Sequence, residues 1–303
     1  MDQEKSDVWM DWLLQHRHGD DPQLKKRFLD DVAQIADRVL DGARLSAGMT
    51  LADIGTGDGL VALRAIDRIG PSLKVVMTDI SAPLLDYVQT VATARGVRDQ
   101  CTFLQRSADA MPGMADNSVD AVTTRAVVTY VADKPAALRE FHRVLRPGGY
   151  LSMAEPILRD DALEVCALRK LIDSGDGASE DPFFPLLLRW RSALYPDTEE
   201  KLRQFAPTNF GERDLVRYAI DAGFNDIHLE FHVDVRNEDR RPPWEAFINA
   251  SPHPLAPTLS KVLEEQFTSE ERSFFEQRLR AIYEQSSRFN IDRIAWMTAR
   301  KPA

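Results

Sequence analysis

Between residues 50 and 157 the sequence alternates short apolar runs with amphipathic stretches, and this alternation constrains the fold more than any other feature. The apolar runs predict strands at 50–55, 74–80, 101–107, 119–125 and 149–157. Helical spacing marks the stretches between them, at 59–69, 82–95 and 133–145. Such an alternation is typical of a parallel sheet covered by helices on both faces. The stretch "RPGGY" (146–150) predicts a turn between the last helix and the strand after it.

The regions on either side of this alternation are mainly helical. Residues 7–42 have helical spacing that continues after Pro22, and a helix at 210–224 precedes strands at 226–235 and 293–302. The segment 158–205 is helical but irregular, with an exposed break at "SGDGASEDP". The excursion 239–289 is far longer than a hairpin loop and therefore predicts an added helical layer. The predicted domain boundaries are 1–45, 46–157, 158–206, 207–238, 239–289 and 290–303.

Composition excludes several classes of protein. The 303 residues are 44% hydrophobic and 28% charged, as in ordinary globular proteins. A net charge of −10 argues against nucleic acid or an anionic membrane as the main partner. No run approaches the length of a membrane span, and the acidic N-terminus lacks a signal-peptide core. The two cysteines, Cys101 and Cys166, fit a reducing compartment, so we expect a cytoplasmic protein.

Three glycines stand at alternate positions directly behind the first apolar run, in "LADIGTGDGL" (51–60). A strand, a glycine turn and a helix present backbone to a nucleotide-type cofactor at the carboxyl edge of a parallel sheet. The dinucleotide fingerprint requires glycine at its first, third and sixth positions. Here the glycines are Gly55, Gly57 and Gly59, and the sixth position is Leu60. The loop is therefore G-x-G-x-G, and a plain tight turn is the alternative interpretation.

Two further acids follow predicted strands. Asp79 ends the second strand, twenty residues after Gly59, where a carboxylate can accept both ribose hydroxyl protons. Dehydrogenases use the same arrangement, so Asp79 indicates a ribose without choosing the cofactor. Asp109 lies in "RSADAMP" after the third strand, and capping of a helix is its alternative role.

The loop G-x-G-x-G preceded by Asp53 resembles the first motif of class I S-adenosylmethionine-dependent methyltransferases. "RSADAMP" resembles the adenine motif of that family, and "SVDAVTTRAVVTYVADKPAALREFHRVLRPGGYL" (118–151) resembles the ubiquinone-type C-methyltransferases and their small-molecule relatives. The resemblance covers residues 45–157 well, and 207–235 with 293–301 by strand pattern only. It implies a Rossmann-like, doubly wound, seven-stranded sheet with an antiparallel last strand, a helical N-terminal lid and helical insertions.

The resemblance also implies S-adenosyl-L-methionine as the cofactor. The glycines would let the backbone approach its methionine part, Asp53 would help to fix its ammonium group, and Asp109 would accept from its adenine amino group. The implied cofactor-binding residues are Asp53, Gly55, Thr56, Gly57, Gly59, Asp79, Ile80, Ser107, Ala108, Asp109 and Arg125.

Candidate catalytic residues come from the edge of the sheet, because methyl transfer needs alignment, exclusion of water and sometimes a base. Arg125 and Tyr130 follow the fourth strand. Arg125 would bind a carboxylate or phosphate of the substrate, or else an internal acid. Glu155, at the end of the fifth strand, would be a base or a hydrogen-bond anchor, or else a structural carboxylate. No cluster has metal-ligand spacing, so a metal-free reaction is expected.

The N-terminal "WMDWLLQHRHGDD" is a candidate lid over the cofactor, with Trp9, Trp12, His16 and Arg17 as its residues. An amphipathic helix packed on the core or on a second subunit is the alternative. His253, between two prolines, is either a catalytic histidine or an exposed one.

The sequence therefore predicts an S-adenosylmethionine-dependent methyltransferase that acts on a small molecule, in biosynthesis and without a metal. One alternative keeps the cofactor for a cyclisation or rearrangement, including cyclisation of the cofactor itself. The other is a cofactor-binding protein without catalysis, because a fold alone does not give function. The expected partners are a small-molecule substrate and a second copy in a homodimer.

Overall fold

The computed structural model describes residues 7–19, 21–175, 180–237, 242–285 and 289–303. Several of the sequence predictions fall partly outside these residues. They concern residues 1–6 and 20 of the N-terminal segment, residues 176–179 of the predicted exposed break, and residues 238–241 with 286–288 at the ends of the predicted helical excursion.

Within the described residues, seven strands form one sheet: β1 (Thr50–Ile54), β2 (Lys74–Asp79), β3 (Cys101–Gln105), β4 (Val119–Arg125), β5 (Leu145–Pro156), β6 (Asn225–Asn237) and β7 (Phe289–Arg300). Their order is β3-β2-β1-β4-β5-β7-β6. The first five strands are parallel, and β7 is antiparallel to β5. This is the predicted doubly wound sheet, and the carboxyl ends of β1 to β5 therefore meet at one edge.

The helices of the described residues are α1 (Val8–Leu14), α2 (Pro22–Ala43), α3 (Leu60–Ile69), α4 (Ala82–Ala94), α5 (Lys134–Val144), α6 (Arg159–Asp173), α7 (Phe183–Leu194), α8 (Glu199–Gln204), α9 (Glu212–Asp221), α10 (Trp244–Asn249), α11 (Leu259–Gln266) and α12 (Ser269–Gln285). None of them is long and apolar enough to cross a membrane.

Successive side chains of the central strands face opposite sides of the sheet, so the apolar core around the sheet has two layers. Leu51 of β1 packs in one apolar cluster with α2, α3 and α4, whereas its neighbour Ala52 packs in another with α5 and α9. Helices cover both faces of the sheet, so β1 and β4 are buried at successive positions along the strand.

The segment 7–42, predicted to be helical and to continue so after Pro22, contains two helices rather than one. Helix α1 ends at Leu14, and a 3₁₀ turn, His16–His18, follows it. Gly19 then adopts a φ of +52°, which ends the turn before α2 begins. A β-carbon at Gly19 would lie 2.1 Å from the carbonyl oxygen of Ala246, so this position also allows a close backbone contact.

The predicted turn at 146–150 lies inside strand β5. Helix α5 ends at Val144, as expected before a proline, but the chain continues as a strand with a register shift against β4. Gly148 has a φ of +80°, and a β-carbon at Gly149 would lie 2.8 Å from the carbonyl oxygen of Asp120. The glycine pair therefore forms an irregularity within the strand rather than a reversal of the chain.

The chain divides into two compact units. The first contains the described residues of Met1–Phe28, Leu158–Asn209 and Val233–Asp292. The second, Leu29–Ile157 with Phe210–His232 and Arg293–Ala303, contains the parallel strands and the glycine loop.

The first unit has a helical core of its own. Its apolar cluster joins α6, α7, α8, α10, α11 and α12. Phe275 stacks on Phe183 with ring centroids 5.4 Å apart and meets Trp190 edge-on at 6.1 Å. The two segments predicted as helical insertions thus build one common core.

Candidate functional site

The glycine loop connects β1 to α3 at the carboxyl edge of the sheet. Gly55, Gly57 and Gly59 have φ values of +64°, +55° and +82°, which L side chains rarely adopt. A β-carbon at Gly55 would lie 2.4 Å from a methyl group of Val127, and one at Gly59 would lie 2.3 Å from a methyl group of Val88. The first glycine allows the loop to approach the chain after β4, and the third allows α3 to pack on α4.

Asp53 is buried directly before the loop, with 2% of its surface exposed. Its two carboxylate oxygens accept hydrogen bonds from the hydroxyls of Thr56 (2.7 Å) and Thr123 (2.8 Å). Burial raises the pKa of Asp53 to about 6, against the opposing effects of these hydroxyls and of the positive charge of Arg125. Asp53 is therefore a carboxylate that an added cation would stabilise in its ionised form.

Asp79 ties the end of β2 to the glycine loop. One oxygen accepts the backbone N–H of Gly57 and the other that of Ser81, both at 2.9 Å. A carboxylate accepts hydrogen bonds only, so hydroxyl protons of a ligand are suitable donors to this group. The next residue, Ile80, exposes 48% of its surface at this edge. An exposed isoleucine beside a buried acid suits a ligand with a flat apolar part next to a polar one.

The segment after β3 lies beside Asp79. The backbone N–H of Arg106 donates to the carbonyl of Asp79 at 2.9 Å. Three residues later, half-buried Asp109 accepts the hydroxyl of Ser107 at 2.5 Å, while Ala108 is buried in the core. The motif predicted to bind the adenine is thus hydrogen-bonded to Asp79, the residue predicted to bind the ribose at the end of β2.

Arg125 ends β4 and is half-buried. Among the residues that the structure describes, no acceptor lies within hydrogen-bond distance of its guanidinium, and its Nε is buried from solvent. The next residue, Ala126, has a φ of +56°, an unfavourable conformation for a residue with a β-carbon. Its N–H nevertheless donates to the carbonyl of Ala154 at 2.8 Å, so this turn is held in place by β5.

Glu155 is fully buried near the end of β5. One oxygen accepts the hydroxyl of Thr124 at 2.8 Å. The other accepts the backbone N–H of Val127 (2.9 Å) and both the N–H and the hydroxyl of Thr129 (3.1 Å each). Burial raises the pKa of Glu155, and these donors oppose that shift. Of the two interpretations, these contacts favour the structural carboxylate over the base.

Tyr130 ends a 3₁₀ turn, Val128–Tyr130, just after the segment that Glu155 holds. It is half-buried, and its N–H donates to the carbonyl of Val127 at 2.9 Å. Its predicted role towards the acceptor stays a prediction.

The four predicted lid residues lie in the first unit. Trp12 donates its indole N–H to the carbonyl of Ser251 at 3.0 Å, and the guanidinium of Arg17 lies 4.7 Å from its ring centroid. His16 is exposed and accepts the N–H of Ser251 through its carbonyl, whereas Trp9 is half-buried. The ring of Trp12 thus already contacts a cation, which favours the packing interpretation for this residue.

His253 is not the exposed histidine that one alternative predicted, because only 1% of its surface is exposed. Its Nε2 lies 2.9 Å from the carbonyl of Leu194, and its Nδ1 accepts the N–H of Leu255 at 3.3 Å. Burial lowers its pKa to about 4. The ring is therefore a neutral, hydrogen-bonded part of the first unit.

No clear signal in the sequence predicted the threonine hydroxyls that hydrogen-bond to two acids of the candidate site. Thr123 donates to Asp53 because the strand register pairs these two residues across 70 positions of the chain. Thr129 and Thr124 surround Glu155 in the same non-local way. The alternation of β4 would place Thr123 and Arg125 on the same face, but only the strand order shows which acid that face meets.

Within the described ranges, no group of three His, Cys, Asp or Glu side chains is arranged to hold a metal ion. The metal-free reaction expected from the sequence stays a prediction.

The chain is similar to several known proteins. A family model described as "Methyltransferase domain" matches residues 52–153. The ubiquinone/menaquinone biosynthesis C-methyltransferase UbiE of Hahella chejuensis is 39% identical over 166 residues, which are 53% of this chain and 66% of that protein. The enzyme of the same name from Shewanella sp. (strain ANA-3) is 34% identical over 190 residues, 62% of this chain and 70% of that one. The chain thus matches about two thirds of the length of these relatives.

A solved structure supports the fold alone. The YcgJ protein from Bacillus subtilis has a TM-score of 0.54 and 15% identity, over 89% of this chain and 99% of that one. The residues matched by the family model run from β1 to β5 and include the glycine loop, Asp79 and Arg125. The chain belongs to the class I S-adenosylmethionine-dependent methyltransferases.

Proposed function

We propose that this protein transfers a methyl group from S-adenosylmethionine to a small-molecule acceptor without a metal. The observation that carries the proposal is the glycine loop with its two buried acids, Asp53 and Asp79, at one edge of a parallel sheet. That edge offers loop backbone, two carboxylates and an exposed isoleucine at the carboxyl ends of the neighbouring strands β1 and β2.

The described residues fit the proposed cofactor. Asp53 would favour the ammonium of its methionine part, either directly or through the hydroxyl of Thr56. The carboxylate of Asp79 would accept the ribose hydroxyls, and Ile80 would pack on the adenine. Asp109, held by Ser107, would accept from the adenine amino group.

When bound, S-adenosylmethionine supplies a methyl group on a positively charged sulfur, which an attacking atom displaces in line. What the chain must provide is alignment and exclusion of water, which together account for a large part of such a rate acceleration. Glu155 contributes by fixing the turn between Arg125 and Tyr130, and these two residues would face the acceptor. We propose biosynthesis as the role and a reducing, cytoplasmic setting, supported by the free and buried Cys101 and Cys166.

The first test measures binding of the cofactor by calorimetry. Asp79→Ala should weaken binding of S-adenosylmethionine by about 1.5–3 kcal/mol, the value of lost hydrogen bonds to a charged group. Asp86→Ala is the matched control, because Asp86 lies on the exposed side of α4. Unchanged affinity in a folded Asp79→Ala protein would remove Asp79 from the site, and NAD should not bind to the wild type.

The second test separates methyl transfer from the two alternative functions. Protein and methyl-labelled S-adenosylmethionine are incubated with a cell extract, and the products are analysed by mass spectrometry. A labelled acceptor supports methyl transfer. A ring formed from the cofactor, or intact cofactor in a protein that binds it, would contradict the proposal.

A further inference from the structure

A second cavity of the unit that contains the parallel strands, about 340 Å³ in volume, lies away from the carboxyl edge. We call it the Tyr150 cavity, and its polar lining is Asp41, Arg44, Tyr150, Asp226, Thr298 and Arg300. Tyr150 pairs with Ala121 near the start of β4 and with Arg300 at the end of antiparallel β7. Four residues of strand, about 13 Å, separate Tyr150 from Ala154, the partner of Arg125. The Tyr150 cavity is therefore distinct from the proposed cofactor site.

Two guanidinium groups meet the ring of Tyr150. The guanidinium carbon of Arg44 lies 4.8 Å from the ring centroid, and that of Arg300 lies 5.7 Å from it. Arg44 also donates to the hydroxyl of Tyr150 at 3.3 Å, and Arg300 donates to the carbonyl of Gly148 at 3.3 Å. In the ranges that the structure describes, neither guanidinium lies within ion-pair distance of a carboxylate. Two positive charges therefore stand at one aromatic ring without an acid to pair with, in a chain of net charge −10.

The backbone is strained at two residues that line the Tyr150 cavity. Arg44, directly after α2, has a φ of +50°, and Asp226, at the start of β6, has a φ of +47°. They are two of the four described residues other than glycine with a positive φ. Glycine is the unstrained residue at such a helix end, so an arginine there costs stability. Strain of this kind is concentrated at ligand sites, and here two instances of it fall on one cavity.

Two acids also line the Tyr150 cavity. Asp41 pairs with Arg68 at 2.7 Å. The carboxylate of Asp226 is exposed and receives no hydrogen bond from a residue in the described part of the chain. Since a carboxylate accepts only, a ligand that lies beside Asp226 must bring donors of its own, such as hydroxyl groups. The lining therefore suits a ligand that is anionic at one end and hydroxylated at the other.

We propose that the Tyr150 cavity binds an organic phosphate with free hydroxyl groups, of the sugar phosphate class. The three terminal oxygens of a phosphate monoester can accept from both guanidinium groups and from the hydroxyl of Tyr150, whereas a carboxylate has only two oxygens. The hydroxyl groups of the ligand would donate to Asp226. The volume of the cavity is in the range of small-molecule sites, about 300–1,000 Å³. This site is independent of the proposed function.

Calorimetry at physiological ionic strength tests the proposal with ribose 5-phosphate, inorganic phosphate and ribose. The wild type should bind ribose 5-phosphate saturably, inorganic phosphate more weakly and ribose not at all. Arg44→Gln and Arg300→Gln should each weaken binding of ribose 5-phosphate about 10- to 150-fold, the effect of losing a hydrogen bond to a charged group. Arg95→Gln, a change at an exposed arginine that pairs with Asp67, is the control and should bind as the wild type does.

Asp226→Asn separates recognition of the hydroxyl groups from binding of the phosphate. Asparagine adopts the left-handed conformation as readily as aspartate, so the backbone strain is unchanged. The loss of a negative charge strengthens binding of any phosphate, and the ratio of the two affinities removes this effect. The affinity for ribose 5-phosphate relative to inorganic phosphate should fall about fivefold, the difference between a charged and a neutral acceptor. An unchanged ratio would refute the role of Asp226.

The location of binding is tested separately. Ribose 5-phosphate should bind equally well to the wild type, to Asp79→Ala and to protein saturated with S-adenosylhomocysteine. Binding that disappears in either of the last two would place the sugar phosphate at the cofactor edge and overturn the proposal. So would a wild type that binds neither phosphate compound, or binding that survives in the double variant Arg44→Gln/Arg300→Gln. Circular dichroism checks that all variants are folded.

Discussion

Replacement of Glu155 tests whether its side chain acts as a catalytic base or as a structural carboxylate. In Glu155→Gln, the amide oxygen can occupy the position that accepts the donors of Val127 and Thr129. The amide nitrogen then donates to the hydroxyl oxygen of Thr124, which can accept as well as donate. All partners are kept and only the charge is lost, which we expect to cost about 1 kcal/mol of unfolding free energy.

Glu155→Ala removes both acceptor oxygens. The backbone N–H groups of Val127 and Thr129 would be left buried without a partner, at a cost of about 1–3 kcal/mol each. The hydroxyl of Thr129 keeps its second acceptor, the carbonyl of Pro156. We therefore expect a total loss of about 3–5 kcal/mol, including the cavity that the side chain leaves. Denaturant unfolding measures both variants.

The assay that decides between the roles is methyl transfer by Glu155→Gln. A structural Glu155 predicts an initial rate within about tenfold of the wild type, measured as label transferred from S-adenosylmethionine into the acceptor of a cell extract. A catalytic base predicts a loss of about 10²–10⁴-fold, because an amide cannot take a proton. A folded Glu155→Gln that binds the cofactor normally but loses more than about 100-fold in rate would refute the structural interpretation.

Four further outcomes are expected. Affinity for S-adenosylmethionine should rise about tenfold per pH unit up to pH 6 and level off above it. The reason is that Asp53 has a pKa of about 6 and must be ionised to attract the ammonium. In calorimetry, Asp53→Asn should remove this pH dependence. The pKa of His253 is about 4 in the folded chain against 6.5 in the unfolded chain. Its contribution to stability is therefore complete above pH 6.5, and about 3 kcal/mol of unfolding free energy is lost as the pH falls from 6.5 to 4. In His253→Gln, the free energy of unfolding should depend less on pH over this range. Activity should survive EDTA, and a loss that magnesium restores would contradict the metal-free reaction. If residues 1–20 form a lid, their deletion should leave cofactor binding intact but slow turnover at least about tenfold. If light scattering instead shows that the deletion converts an oligomer to an unstable monomer, the segment belongs to a subunit interface.

The positions at which the first strands end could be read from the sequence with little error. The end of β4 at Arg125 was predicted to the residue, and β1 and β2 each ended one residue earlier than predicted. These strands run straight into glycine turns or helix caps, such as Ser81, whose hydroxyl accepts the N–H of Leu84 at the start of α4. Glycine turns and helix caps are set by neighbouring residues, so the sequence near each strand end indicates where that strand stops.

Predictions for single polar side chains were less secure. The sequence leaves Glu155 open as a base or a structural carboxylate, because its position at a strand end is the same in both cases. Its burial and its partners, 26 to 31 residues away, come from the pairing of β4 with β5 and from the turn after β4. For His253, the carbonyl that meets its ring is 59 residues away, in α7. A pattern of neighbouring residues contains no information on such partners.

The sequence by itself determined the alternating architecture, the glycine loop and the acids at the strand ends, because periodicity and turn chemistry are local properties of the chain. Only the tertiary structure decided that Thr123 satisfies Asp53, that Glu155 holds the turn after β4, and that Arg125 is left without an acceptor among the described residues. The reason is the low-dielectric interior, where the state of a polar group depends on which donors and acceptors folding brings within about 3 Å of it. Those partners are set by strand order and register, which depend on the packing of the whole sheet.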